Sequence, residues 1–130
     1  MTKLKTIALL ASSVALCACA ASVKSNLEGK NYTVARVDVT QGGEFVSPIS
    51  GLTAPTGLTD FLTAIKVSSS GAEAFIGFFF DNIDHASAWF DANSASIVGN
   101  RWNGAELGKV GSNNNLVYMA TATAYTDAGL

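Results

Sequence analysis

The sequence predicts a mainly β fold, a small antiparallel sheet or barrel with room for one short helix, after an N-terminal signal segment. Three observations carry that expectation. Short apolar stretches recur at hairpin spacing, bounded by Gly, Asn, Asp and Ser. Charged residues make up only 14% of the chain, against roughly 25% in a typical soluble domain, whereas a helical bundle needs Glu, Lys and Arg on its surfaces. Residues 74–80, Ala-Phe-Ile-Gly-Phe-Phe-Phe, form a continuous apolar run, as a strand buried on both sides would.

The N-terminus sets the address. Lys3 and Lys5 give a basic start, an apolar run follows from Thr6 to Leu16, and residues 17–21 are small. These are the three parts of a secretory signal, and the run is shorter than the about 20 apolar residues of a membrane-spanning helix. The chain's two cysteines, Cys17 and Cys19, both lie at its end. Leu16-Cys17-Ala18-Cys19 resembles the bacterial lipobox, whose final cysteine is acylated and becomes the new N-terminus. That resemblance makes Cys19 the candidate lipidation residue and a membrane the expected partner. Ala18-Cys19-Ala20 also fits an A-x-A site, where cleavage before Ala21 would discard both cysteines and leave a soluble periplasmic or secreted protein.

Residues 1–18 are therefore read as the signal peptide, 19–26 as a polar tether, and 27–130 as one small β-rich domain. About 110 residues suffice for a core without covalent staples. With one cysteine at most, the mature chain has no internal disulfide and no cysteine-based metal site. Without Lys3 and Lys5, eight basic residues become six against ten acidic ones, a net charge near minus four. No basic cluster accompanies that charge, which argues against nucleic acid as a partner.

Along the domain, residues 32–40 alternate and are rich in β-branched side chains, which predicts a strand ended by Gln41-Gly42-Gly43. Residues 44–57 hold Pro48 and Pro55 and read as loop, with one brief extended piece at 45–49. Residues 58–67 read as a short helix or irregular segment, with Thr59 or Asp60 as cap and Phe61, Leu62 and Ile65 on the buried face. Residues 68–71 turn the chain into the apolar strand at 74–80, where Gly77 permits a bend. Residues 86–91 alternate and suggest a second antiparallel strand. A helix over 82–95 competes, because Ile83, Ala86, Trp89, Phe90 and Asn93 also lie near helical spacing. Further strands are expected at 96–98, 107–110 and 116–125.

Residues capable of chemistry are few. His85 is the only histidine, which excludes a histidine metal cluster. With Asp81 or Asp84 it makes a candidate base oriented by a carboxylate, the basis of a weak hydrolase-like alternative. The competing reading places all three in a turn, where Asp and Asn are favoured by local hydrogen bonds. Residues 81–84 lack the length and terminal glutamate of a calcium loop. Asn31-Tyr32-Thr33 fits a glycosylation sequon, a coincidence under a bacterial leader. No P-loop, G-x-S-x-G or dinucleotide fingerprint occurs, so no cofactor and no enzymatic activity are expected. Asn100, Arg101 and Trp102, between Gly99 and Gly104, form the candidate binding surface; the alternative is a hairpin corner with Trp102 capping the core and Arg101 solvated.

Leu27-Glu28-Gly29-Lys30-Asn31-Tyr32 before a first strand resembles the opening of META-type domains, found in small envelope lipoproteins linked to heat or stress. Gly99-Asn100-Arg101-Trp102-Asn103-Gly104, then Leu107-Gly108-Lys109-Val110-Gly111-Ser112, is similar to that family's Cys-Asn-Arg-aromatic-x-Gly motif and the segment after it, with Gly99 at the cysteine position. Ala88-Trp89-Phe90-Asp91, followed by residues 97–104, also resembles the repeating hairpins of transferrin-binding-type surface lipoprotein barrels. The first resemblance implies a structural or stress-related envelope protein, the second a surface-exposed ligand-binding module. Neither implies an enzyme.

Overall fold

A computed structural model of the chain describes residues 19–47 and 51–130. The signal segment, Cys17, Pro48 and Ile49 lie outside the described residues. Within them, the mainly β expectation holds, and the sheet is open rather than a closed barrel. Its five strands are β1 at Thr33–Asp38, β2 at Leu58–Ser68, β3 at Gly71–Phe80, β6 at Lys109–Asn113 and β7 at Leu116–Ala120. They are antiparallel throughout and run in the order β1-β2-β3-β7-β6. Two short strands, β4 at Arg101–Trp102 and β5 at Ala105–Glu106, pair as a separate ribbon. Among the described residues, three α-helices cover the sheet: α1 at Ala20–Glu28, α2 at Ile83–Ile97 and α3 at Ala122–Asp127.

β3 occupies the middle of the sheet, and its side chains divide between the two faces. Ala74, Ile76, Phe78 and Phe80 join one buried cluster with Phe61, Val117 and Met119, beneath Ala86, Trp89 and Ile97 of α2 and Ala105 and Leu107. Phe75 and Phe79 join the other with Leu62, Ala64 and Leu116, beneath Ala20, Val23 and Leu27 of α1 and Ala124 of α3. A strand covered on both faces has no polar side to show, which is why residues 74–80 read as unbroken hydrophobicity.

Four local expectations are corrected. Residues 20–26 are no tether: they belong to α1, whose Ala20, Val23 and Leu27 fall at helical spacing and are buried. Residues 58–67 are strand β2, paired with β1 from Ile65 to Asp60 and with β3 along its length. An inner strand buries Phe61 on one face and Leu62 and Ala64 on the other, so clean alternation is lost. Residues 86–91 and 96–97 lie in α2, the competing helical reading. Asn82 caps that helix by accepting a 2.8 Å bond from the His85 amide, and Ala86, Trp89, Asn93 and Ile97 face inward. The last strand stops at Ala120 because the Thr121 hydroxyl accepts from the Ala124 amide at 3.3 Å and starts α3.

The α1-side face of the sheet is also tied by polar contacts. Tyr32 Oη donates to Asp127 Oδ2 at 2.8 Å, joining the entry to β1 to the end of α3. Burial, reinforced by the Asp127 carboxylate, raises the Tyr32 phenol well above its ordinary value of 10.0. Above pH 10 the unfolded chain has lost a proton that the folded chain still holds, so stability falls as pH rises. The contribution is complete below the ordinary tyrosine value and is lost towards the raised one. We expect the urea midpoint of the natural protein to drop more steeply above pH 10 than that of Tyr32→Phe. Parallel profiles for the two proteins would contradict this reading.

Candidate functional site

Three places hold the residues singled out in the sequence. At the first, Cys19 is exposed and stands at the N-cap of α1, its carbonyl accepting from the Val23 amide at 3.1 Å. The nearby backbone amide of Ser22 at the helix start holds its thiol below the ordinary value, outweighing the opposite effect of partial burial; Ala21 and Arg36 add to the lowering. A thiol so placed has more of the nucleophilic thiolate than a free cysteine.

The second place is the corner at 99–107. Asn103 and Gly104 both have positive φ, 50° and 83°, the geometry of a two-residue hairpin turn for which Asn-Gly is the favoured pair. That turn sets the register that puts Arg101 opposite Glu106, and the guanidinium meets the carboxylate at 2.6 Å. Both partners are largely exposed, so the pair adds little stability. Trp102 packs half-buried against the α2-side cluster. Asn100 donates through its side chain to the Ser96 carbonyl and accepts through its own carbonyl from the Leu107 amide. The three residues are therefore close in space but turned to different tasks, Asn100 and Trp102 to the fold and Arg101 to its ion pair.

The third place lies where α2 begins. His85 Nδ1 and Asp81 Oδ1 are 2.6 Å apart; Asp84 belongs to the first turn of the same helix. Asp81 holds the imidazole by one nitrogen, which leaves Nε2 as the nitrogen able to engage another group. Beside them runs a groove of about 220 Å³ lined by Thr53, Ala54, Thr56, His85, Ala88 and Trp89. Gly57 borders the pair so closely that a Cβ there would lie 2.4 Å from His85 Nδ1 and 2.5 Å from Asp81 Oδ1, and its φ of 84° favours glycine independently.

Sequence reasoning missed the part of this place contributed by the loop. Asn93 is 2% exposed, the one buried polar residue among those described. Its Oδ1 accepts from the Thr53 amide at 2.9 Å, while its Nδ2 donates to Thr53 Oγ1 at 2.9 Å and to the Trp89 carbonyl at 2.8 Å. Trp89 Nε1 donates to the Thr53 carbonyl at 3.1 Å. The available signal was an asparagine on the apolar stripe of a helix, because a buried amide must find partners.

Among the described residues, no group of three or more His, Cys, Asp or Glu side chains is placed to hold a metal ion. Likewise, no helix among them is long and apolar enough to cross a membrane. No protein-family model matches the chain, and no curated protein or solved structure matches it.

Proposed function

We propose that the protein is a bacterial envelope lipoprotein, attached to a membrane through acylated Cys19 and serving a non-enzymatic structural, stress-related or binding role. The observation that carries this reading is the placement of Cys19: it ends a lipobox-like Leu16-Cys17-Ala18-Cys19 and stands exposed one residue before the packed fold begins. The alternative cleavage before Ala21 would remove Ala20, which is 4% exposed and belongs to the α1-side core. Cleavage before Cys19 leaves α1 complete with its cap residue. Each acyl chain contributes about 0.8 kcal/mol per buried CH₂, so two or more chains give firm attachment. An anchor at Cys19 has no tether and keeps the domain against the bilayer surface.

Cys19→Ser tests this cleanly. Serine is a favoured N-cap residue, so the start of α1 survives while the acyl acceptor is lost. The variant is expected to incorporate no labelled fatty acid, and to be recovered either as a soluble cleaved chain or as a precursor whose uncleaved signal segment keeps it in the pellet. Unchanged membrane attachment with unchanged labelling would refute the anchor.

A further inference from the structure

We infer that the groove between the loop at 53–56 and the start of α2 is a binding site for a neutral, hydroxyl-rich small molecule about the size of one sugar ring. The site does not depend on Cys19 acylation. It is made by a loop and a helix fixed to each other, with polar groups left facing outward.

The loop wall is held from beneath. Asn93 and Trp89 together engage the amide, the carbonyl and the hydroxyl of Thr53. Asn93 is the one buried polar side chain among the described residues, and its three hydrogen bonds serve this one junction. At the far end, the Asp81 amide donates to the Gly57 carbonyl at 2.9 Å, and the absence of a side chain at Gly57 lets the backbone close onto the His85–Asp81 pair. The segment from Thr53 to Gly57 is thus fixed at both ends before any ligand arrives, which reduces the ordering cost of binding.

The lining selects the ligand class. The groove is open to solvent and has an accessible volume of about 220 Å³, below the roughly 300–1,000 Å³ of sites for drug-sized ligands, which limits its occupant to a single small ring. Its polar lining residues are Thr53, Thr56 and His85; Ala54, Ala88 and Trp89 supply the apolar part. Small-molecule sites are built this way, apolar surface with a few placed polar groups. No lysine or arginine lines the groove, while Asp81 and Asp84 stand at the same end of α2, so an anion meets carboxylates and no counter-charge. The Thr53 hydroxyl is already engaged by Asn93 and His85 Nδ1 by Asp81, but a purely apolar ligand would still cover the Thr56 hydroxyl and His85 Nε2 without offering them a partner, which costs binding energy. A neutral polyol supplies a donor or acceptor to Thr56 and to His85 Nε2 and a ring face to the alanines.

The test is a titration of the isotopically labelled, full mature protein, in detergent, followed by amide and indole NMR signals. Glucose, galactose and myo-inositol serve as neutral ligands, gluconate as the anion and glucosamine as the cation. Saturable binding of at least one neutral ligand is expected, with a Kd of about a millimolar or tighter and the largest shifts at Thr53, Thr56, His85 and the Trp89 indole. Thr56→Val and His85→Ala should each weaken binding by about tenfold, the effect of losing one good hydrogen bond, with signals away from the groove unmoved. The inference is overturned if no neutral ligand saturates, if gluconate or glucosamine binds about tenfold tighter than the best neutral ligand, or if both variants bind as the natural protein does. Because the readout is ligand binding at named residues, it fails or succeeds separately from the acyl anchor.

Discussion

Phe78→Ala is expected to destabilise the protein by about 4 kcal/mol, within the range for removing a buried aromatic ring. Phe78 is fully buried at the centre of the α2-side cluster. Its ring lies 4.7 Å from Trp89, 5.1 Å from Phe61 and 5.9 Å from Phe45, centroid to centroid. One truncation therefore opens a cavity between the sheet, α2 and the incoming loop, three parts that cannot all collapse into it. For a domain whose total stability is typically about 5–15 kcal/mol, such a loss removes a large share. Urea unfolding of the mature protein measures it, with Val67→Ala as control: Val67 is 77% exposed and its truncation should cost under about 0.5 kcal/mol. A loss below about 1 kcal/mol for Phe78→Ala would contradict the close packing of this face.

Gly77→Val is expected to cost about 3 kcal/mol on the opposite face, by overpacking rather than by a cavity. Gly77 pairs with Leu62 on one side and Tyr118 on the other. The rings of Phe75 and Phe79 fold over the space its side chain would occupy, so that a Cβ would sit 2.8 Å from Phe75 Cε1, 3.1 Å from Phe79 Cε1 and 3.3 Å from Leu116 Cδ1. Those three side chains are themselves buried, and none can swing into solvent to make room. Valine favours strands intrinsically, so a neutral or stabilising result in the same unfolding measurement would show that the rings give way more easily than this geometry implies.

Gly77 also shows what could be read from the chain alone. The apolar run at 74–80 was legible as a buried strand, although β3 begins earlier, at Gly71; Gly77, read as permitting a bend, instead leaves the space that the rings of Phe75 and Phe79 occupy. The 32–40 run was legible in part: β1, an edge strand, covers Thr33–Asp38, but Val39–Gln41 leave it as a single 3-10 turn that Asp38 caps by accepting from the Thr40 amide. Residues 58–67 were not, since β2 lies between β1 and β3 and buries side chains on both faces. Ala86-Ser87-Ala88-Trp89-Phe90-Asp91 satisfied periods of 2 and 3.6 together; the Asn82 cap and the inward spacing of Ala86, Trp89, Asn93 and Ile97 are what select the helix. The segment at 20–26 offered only Val23 as a large apolar side chain, too little to mark a buried helix without Leu27 beyond it.

The candidate sites divide in the same way. The proximity of Asp81 to His85 is local, four residues apart at a helix start, and was legible. The pairing of Arg101 with Glu106 follows from the Asn103-Gly104 turn between them and was within reach of the sequence. The junction of Thr53 with Asn93 spans 40 residues, and the fit of Gly57 against His85 depends on how the proline-bearing loop returns to the sheet. Neither has a local sequence signature, because each is fixed by tertiary contact.

The intact mass of the mature protein, extracted from membranes with detergent, bears most directly on the proposed anchoring. Attachment through Cys19 requires a chain that begins at that residue and carries the additional mass of acyl chains. A chain beginning at Ala21, without lipid and without Ala20 in its core, would contradict it.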